Sequence, residues 1–401
     1  MVANQGHKTS LSTFKTILIL MVLMQMTAEQ YLPSLPAIAH TFNTSSDNVQ
    51  LSITLYMLGA GISHMFYGPL SDRVGRKLPL MLGVSISIIG SIFCYIAPSI
   101  TVLIIGRFLQ GFGIGCGLSV GRTIIRDLYN RTLLAKIGSF IAIINILFII
   151  IAPVLGGYIQ EHFGWRANFL FLIVFGFIVL FSTKFFLKET NNNPNPDATK
   201  ISVMFSNYKL LIRSRVFMGH TLCTCLAWAG IVSYMTISPF LFHDIFGLSP
   251  VDYGWLTVFI ATGICISGII NSQLVVRKGI IFMIHIGVLL MIFSGLLLIC
   301  LSLYGIQSIL SIMIPVCLFT VGAGFTFINT FAGAFEPFPA IAGTVGALYA
   351  SFIDLCGAVV SGIIAVFIHH TVLSLGITLF VLGLLSLLAF KMIPLVTNGD
   401  T

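Results

Sequence analysis

Between two long apolar runs, residues 68–77 read Gly-Pro-Leu-Ser-Asp-Arg-Val-Gly-Arg-Lys. This is the first strongly charged cluster of the chain, and each flanking run is long enough to cross a membrane. Because Lys and Arg are retained on the cytosolic side, a short basic segment of this kind predicts a tight cytosolic turn. Gly68 and Gly75 allow the backbone to turn and to pack closely. Asp72 is an acid among cations, so we expect it to have a defined partner.

The composition is that of a protein that crosses a membrane many times. Of the 401 residues, 57% are hydrophobic and only 8% are charged, and the mean hydropathy is +1.04. A transmembrane helix needs about 20 apolar residues, so the chain can cross a bilayer roughly a dozen times. We assign the formal net charge of +8 to orientation in the membrane and not to nucleic-acid binding. The eight cysteines lie in apolar runs without metal-ligand spacing, so neither a metal nor a cofactor is expected.

The apolar runs predict an all-α polytopic membrane protein with twelve transmembrane helices. The predicted spans are 14–36, 50–70, 79–97, 101–122, 137–159, 167–187, 215–242, 253–275, 280–303, 307–332, 342–367 and 371–395. Asn, Pro and charged residues follow the sixth span and predict a linker. Six spans on either side of a linker indicate two pseudo-symmetric six-helix bundles. The N-terminal bundle is expected at 1–187, the cytosolic linker at 188–213 and the C-terminal bundle at 214–401.

The positive charges of the predicted loops lie almost entirely on one side of the membrane. With the amino terminus in the cytosol, the outer loops carry only Arg166, and the other loop cations face the cytosol. Because cytosolic loops carry an excess of Lys and Arg, both termini and the linker are expected in the cytosol.

Three charged residues fall inside predicted spans, where burying a charge costs about 2.5–3.5 kcal/mol on insertion scales. Glu29, late in the first span, and Arg107, early in the fourth, lie at similar depth, so pairing would offset both desolvation costs. Either the pair only fixes helix packing, or Glu29 is a protonatable acid whose charge state depends on burial and on Arg107. Asp354 lies on a stripe of small residues, a face that packs closely on another helix. It is either a neutral packing residue or a cavity residue that selects positively charged ligands.

Several motifs together resemble the major facilitator superfamily. Residues 68–77 are similar to its signature loop between spans two and three, whose acid latches the loop to neighbouring helix ends. Arg107, with Gln110 and Gly111, resembles the fourth-span motif, whose arginine takes part in proton coupling. Residues 152–157, Ala-Pro-Val-Leu-Gly-Gly, resemble the fifth-span antiporter motif, in which a proline and glycines bend the helix of exporters.

A more specific motif lies at the end of the first span. Residues 29–36, Glu-Gln-Tyr-Leu-Pro-Ser-Leu-Pro, resemble the first-span motif of the bicyclomycin-resistance (Bcr/CflA) branch of drug/proton antiporters, with glutamate in place of aspartate. Residues 126–129 and 336–344 also look like this branch, and the resemblance covers nearly the whole chain. Phe148 and Ala152 replace two glycines of the full antiporter motif, and Asp354 is not part of the branch pattern. The resemblance implies an integral protein of the bacterial inner (cytoplasmic) membrane.

The candidate functional residues fall into four groups. The proton-coupling group comprises Glu29, Arg107 and Asp354. The expected substrate cavity comprises Tyr31, Asn145, Trp228, Tyr234, Asn329 and Asp354. The conformational latch comprises Gly68, Asp72, Arg73, Gly75, Arg76, Arg122 and Arg126, with Asp72 expected to pair with Arg122 or Arg126. The helix bend comprises Pro153, Gly156 and Gly157.

These features predict a proton-coupled multidrug efflux transporter that exports small amphipathic or cationic compounds by alternating access. Its expected partners are small-molecule substrates, protons and the lipid bilayer, with no nucleic acid, and the chain is expected to be a monomer. The alternative is a dedicated exporter of one metabolite, such as a siderophore. A membrane enzyme would need His, Asp or Cys clustered at one membrane face, which the sequence does not contain, and a receptor without transport would not need buried acids.

Overall fold

The computed structural model describes residues 2–128, 131–191, 194–196, 198–338, 341–367 and 371–393, and nearly all of them are helical. The helices are α1 (Val2–Glu29), α2 (Leu35–Phe42), α3 (Ser46–Val74), α4 (Lys77–Tyr95), α5 (Ile100–Leu128), α6 (Arg131–Phe163), α7 (Trp165–Phe186), α8 (Ile201–Arg213), α9 (Arg215–Phe246), α10 (Pro250–Lys278), α11 (Ile280–Leu303), α12 (Ile309–Phe335), α13 (Ala342–Phe367) and α14 (Val372–Phe390). A 3-10 turn, Leu32–Ser34, joins α1 to α2.

Eleven helices of the described ranges are long and apolar enough to cross a membrane: α3 to α7 and α9 to α14. The helix α1 occupies the place of the first predicted span, but Lys15, Gln25 and Glu29 interrupt its apolar sequence. The two helices that are left, α2 and α8, have 8 and 13 residues and are too short to cross a membrane. The predicted linker is partly helical, because α8 lies within it. This helix has an apolar face on which Tyr208 and Leu211 are buried.

At two of the predicted boundaries, the difference from the structure has a clear local cause. The first span was expected to continue to residue 36, but α1 ends at Glu29. Pro33 and Pro36 lack the amide hydrogen that a continuous helix needs, so the chain forms the 3-10 turn and restarts as α2. The signature loop is also shorter than expected, because α3 runs on to Val74 with Pro69 inside it. Only Gly75 and Arg76 separate α3 from α4.

The chain divides into two compact units. The first comprises Met1–Met204 and Leu248–Trp255, and the second comprises Phe205–Gly247 and Leu256–Thr401. Within the first unit, α5 packs against both α3 and α4. Gly111 faces the backbone of α3, where an added Cβ would overlap the carbonyl oxygen of Tyr56. Small residues at such crossings let two helix backbones meet, and this close packing drives helix association in a lipid environment.

Replacing Gly111 with alanine should therefore destabilise the first unit, because α3 and α5 must separate to accept the methyl group. Overpacking of this kind costs about 1–3 kcal/mol. A thermal-unfolding measurement on purified protein should show a clear loss of stability. The matched control is Gly138→Ala, because no atom lies within 4 Å of the position of its added Cβ. Equal stability of the two variants would contradict the close approach of α3 and α5.

Candidate functional site

The core of the first unit contains a buried arginine held between two aromatic rings. Arg107 of α5 is only 1% exposed. The carbon at the centre of its guanidinium lies 3.9 Å from the ring centroid of Tyr31 and 4.2 Å from that of Tyr56. Its Nη1 donates hydrogen bonds to the carbonyl oxygen of Thr27 and to Oε1 of Gln110, each at 2.8 Å. The negative faces of aromatic rings attract a cation most strongly where water is excluded, so this geometry stabilises the buried charge.

The predicted ion pair between Glu29 and Arg107 is absent from the described part of the chain. Glu29 is buried at the last position of α1, and Nε2 of Gln25 donates a hydrogen bond to its Oε1 at 3.4 Å. Because α1 ends there, the turn that follows brings Tyr31, and not Glu29, against the guanidinium. Arg107 is therefore held by π faces and neutral acceptors instead of a carboxylate.

A chain of hydrogen bonds extends the arginine site to the helices around it. Gln110 donates from Nε2 to Oγ of Ser91 on α4 at 2.7 Å. The hydroxyl groups of Tyr31 and Ser52 lie 3.2 Å apart, which connects the turn after α1 to α3. Nε of Arg107 is buried and has no hydrogen-bond partner among the described residues. The site thus connects α1, α3, α4 and α5, and the Nε donor of Arg107 is left without an acceptor among the described residues.

Asn168 is a second polar centre of this unit, and no sequence pattern singled it out. It is fully buried on α7, and its Oδ1 accepts a hydrogen bond from Nε2 of Gln30 at 3.0 Å. Its Nδ2 donates to Oγ of Ser34 at 3.1 Å and to the carbonyl oxygen of Gly156 at 3.2 Å. One amide side chain therefore connects residues at both ends of the break between α1 and α2, Gln30 and Ser34, to Gly156 of α6.

Of the predicted helix-bend residues, Gly156 takes part in this contact. Pro153 is inside α6, which remains one helix through it. At Gly156 an added Cβ would overlap the carbonyl oxygen of Gln30, and at Gly157 it would overlap that of Pro250 in the same unit. The two glycines therefore serve close backbone approach.

The cavity residues predicted in the second unit differ in their surroundings. Nδ2 of Asn329 donates to Oδ1 of Asn271 and to the carbonyl oxygen of Phe325, each at 2.7 Å. The hydroxyl of Tyr234 donates to Sδ of Met313 at 3.5 Å. Asn329 and Tyr234 are both buried, so their polar atoms are used within the helix packing.

The remaining predicted cavity residues are partly accessible. Trp228 is half-buried, and its Nε1 is a buried donor without an acceptor among the described residues. Asp354 is half-buried on α13, which also carries the buried Ser351. Asn145 is half-buried on α6, in the first unit. Trp228 and Asp354 thus belong to one unit, while Asn145 joins Tyr31 in the other.

A hydroxyl cluster in the second unit joins three helices and was also missed. Oγ1 of Thr224 on α9 is hydrogen-bonded to Oγ1 of Thr330 on α12 and lies 2.7 Å from the hydroxyl of Tyr349 on α13. The ring of Tyr349 meets those of Phe331 and Phe335 at centroid distances of 5.8 and 5.9 Å. Threonine and tyrosine are common in apolar spans, so no sequence signal distinguished this cluster.

The signature loop is organised around Arg76. Its Nη1 donates to Oδ1 of Asp72 and, at 2.9 Å, to Oγ of Ser71. Its Nε donates to Oδ2 of Asp127, near the end of α5, at 3.1 Å. The Arg76 side chain is 6% exposed, so one buried cation bridges two carboxylates.

Asp72 pairs with Arg76, a partner that the sequence did not indicate, and its pairing with Arg122 or Arg126 stays a prediction. The helix α3 ends at Val74 and the chain turns at Gly75, so the side chain of Arg76 reaches back across this turn to Asp72. Arg126 is exposed, and the side chain of Arg122 lies outside the described residues. Arg73 donates from Nη1 to Oγ1 of Thr199 at 2.8 Å, so it contacts the linker.

The carboxylate of Glu189 occupies the other side of this loop. Its Oε1 accepts hydrogen bonds from the backbone N–H groups of Arg76 at 2.8 Å and of Thr190 and Asn191 at 2.9 Å each. Its Oε2 accepts one from the N–H of Lys77 at 3.2 Å. Partial burial raises the pKa of Glu189, but these four hydrogen bonds outweigh it and hold the pKa below its ordinary value. Sequence reasoning missed Glu189 because it lies 113 positions from Arg76.

Comparisons with known proteins agree on the family. Residues 17–361 match the Major Facilitator Superfamily. The chain belongs to this superfamily. It is 30% identical over 388 residues to multidrug resistance protein D of Escherichia coli (strain K12), an alignment that covers 95% of each chain. It is 26% identical to the bicyclomycin resistance protein homolog of Haemophilus influenzae (strain ATCC 51907 / DSM 11121 / KW20 / Rd), over 94% of this chain and 96% of that protein.

The fold of this superfamily member is also that of a solved transporter. The crystal structure of a D-xylose-proton symporter superposes with a TM-score of 0.73 at 18% identity, covering 96% of this chain and 98% of the symporter. These findings confirm the predicted fold class, and they confirm that the chain is a membrane transporter of small molecules and not an enzyme.

The π faces around Arg107 can be tested in this superfamily member by changing Tyr56. Tyr56→Leu should lower the thermal stability of purified protein, because it removes one of two rings from a buried cation. The expected loss is about 0.5–2 kcal/mol. Tyr56→Phe is the matched control, since it keeps the ring and should retain more of the stability. Equal losses in both variants would show that the ring face does not stabilise Arg107.

Proposed function

We propose that this protein is a proton-coupled multidrug efflux transporter that exports small amphipathic or cationic compounds by alternating access. Superfamily membership and full-length similarity to a multidrug resistance protein support the proposal. The observation that carries it is the placement of Glu29 and Arg107, both buried in one unit and not paired with each other. Ionisable residues inside a membrane are costly, and they mark ion or substrate pathways.

The proposal includes a membrane arrangement. The protein lies in the bacterial inner membrane as a monomer, with both termini in the cytosol. Residues 1–187 and 214–401 form the two bundles, and 188–213 form the cytosolic linker. The excess of Lys and Arg in the loops assigned to the cytosol supports this orientation.

The end of α1 is the proposed coupling element. When Glu29 loses its proton, its new negative charge is attracted to the fixed charge of Arg107, and the attraction is strong where water is excluded. Glu29 precedes Tyr31 by two residues, so a shift of Glu29 toward Arg107 must move the Tyr31 ring that now covers the guanidinium. Protonation of Glu29 cancels the attraction and restores the packing. The protonation state of one carboxyl thus changes how α1 packs on α5.

Substrate-induced proton release tests this coupling. Purified protein in weakly buffered detergent solution, with a pH indicator, should release protons when ethidium, a planar aromatic cation, is added. Glu29→Gln should bind ethidium and release no proton, because the amide cannot titrate. The control Glu161→Gln changes an exposed carboxylate near the end of α6 and should behave like the native chain.

Each outcome of this experiment has a clear meaning. Undiminished proton release from the Glu29→Gln variant would remove Glu29 from the coupling step. Release with a siderophore and with none of a panel of cationic drugs would replace the multidrug proposal with a dedicated exporter.

We also propose that Asp354 selects cationic cargo. It lies half-buried on α13, and a mid-span carboxylate favours a positively charged ligand. Asp354→Asn should weaken binding of an amine-bearing drug by about 1–3 kcal/mol through loss of a charged hydrogen bond, and it should spare an uncharged analogue. Competition binding with such a matched pair checks this expectation. Asp244→Asn, which changes an exposed carboxylate, is the control. Equal weakening of both ligands would refute charge selection.

A further inference from the structure

The junction between α3 and α4 leaves backbone groups that need partners from elsewhere. The first N–H groups of any helix and its last carbonyl groups lack partners within that helix. At this junction α4 begins at Lys77 soon after α3 ends at Val74, so both sets of groups lie side by side. The N-terminal end of a helix also carries a partial positive charge, which favours an anion.

Glu189 supplies that anion from a distant part of the chain. Its two carboxylate oxygens accept hydrogen bonds from the N–H groups of Arg76 and Lys77 at the start of α4. Gly75 has a φ of +93°, and a Cβ at this position would lie 2.5 Å from Oε2 of Glu189. A side chain here would therefore both strain the backbone and displace the carboxylate. The turn is shaped to receive Glu189.

Residues after Glu189 donate hydrogen bonds to carbonyl groups in the last turn of α3. Nδ2 of Asn191 donates to the carbonyl oxygens of Ser71 and Asp72 at 3.3 and 3.0 Å. The N–H of Asn195 donates to the same carbonyl of Asp72 at 2.9 Å. Through Glu189, Asn191 and Asn195, the linker thus contacts the end of α3, the turn and the start of α4.

Arg76 is the residue on which these contacts converge. Glu189 holds its backbone N–H, while its side chain bridges Asp72 and Asp127. Thr190, next to Glu189, donates a hydrogen bond from Oγ1 to Oδ2 of Asp127 at 3.4 Å. A displacement of the linker would therefore move the backbone of Arg76 and one partner of its side chain together.

We propose that Glu189 is a positioning residue of the latch: it holds Arg76 between Asp72 and Asp127 and ties the linker to the signature loop. Movement of the linker during transport then pulls on Arg76 and opens the bridge between the two carboxylates. This role rests on the proposed transport function, whereas the contact itself does not. A cap that only stabilises α4 would leave the transport rate unchanged once the protein is folded.

Amide hydrogen exchange tests the contact without any cargo. In the Glu189→Ala variant, exchange in the peptide that contains the N–H groups of Arg76 and Lys77 should be at least tenfold faster than in the native chain. Glu189→Asp should retain part of the protection, because a shorter carboxylate can still accept these hydrogen bonds. Exchange in Glu161→Gln should equal that of the native chain. Native exchange rates at Arg76 and Lys77 in Glu189→Ala would overturn the contact and the proposal with it.

Transport of ethidium by proteoliposomes tests the positioning role. Glu189→Ala should lower the maximal rate severalfold and leave the Kd for ethidium unchanged, since none of the residues proposed to bind cargo belongs to the latch. Glu189→Asp should restore part of the rate. Faster exchange with an unaltered maximal rate would overturn the positioning role and leave a purely stabilising cap. If the native chain does not transport ethidium or any other drug probe, the proposed function fails, and the exchange result still decides the contact.

Discussion

The charge of Arg107 is the constraint on which the first unit depends. A guanidinium cannot lose its proton in a protein, so the surrounding helices must compensate a permanent charge in an apolar interior. Two tyrosine rings, a backbone carbonyl and a glutamine oxygen do so. Supplying them requires α1 to end early, so that Tyr31 reaches the guanidinium, and α3 to approach α5 closely, so that Tyr56 does. The break after Glu29 and the small side chain at Gly111 thus both serve to place a tyrosine ring against the charge of Arg107.

The two units use different polar chemistry to hold their helices together. In the first, amides and an arginine connect the broken end of α1 to its neighbours, with Asn168 bonded to groups on both sides of the break. In the second, hydroxyl groups and one pair of asparagines connect α9, α10, α12 and α13. Hydroxyl groups can rotate to suit new partners, whereas the guanidinium of Arg107 is planar and fixed in charge. The charged machinery of the proposed cycle therefore lies mainly in the first unit.

The sequence predicted what depends on hydrophobic runs and on local motifs. The long helices follow from apolar length, and the importance of Arg107 follows from the cost of a buried charge. The partners of these residues could not be predicted, because they depend on where helices end. Glu29 lacks its expected contact because α1 ends at that residue, and Asp72 meets Arg76 because the chain turns at Gly75, directly after α3. Glu189 carried no signal, since its partners are backbone N–H groups, which every sequence contains.

The distance along the chain between Glu189 and the turn that it caps also affects how the protein is made. Synthesis proceeds from the amino terminus, so Lys77 leaves the ribosome 112 residues before Glu189. Until then the N–H groups of Arg76 and Lys77 lack the carboxylate that accepts their hydrogen bonds in the folded chain. The α3–α4 hairpin therefore enters the membrane with an incomplete junction. Because α7 precedes Glu189, this junction can close only after all the helices from α1 to α7 have been synthesised.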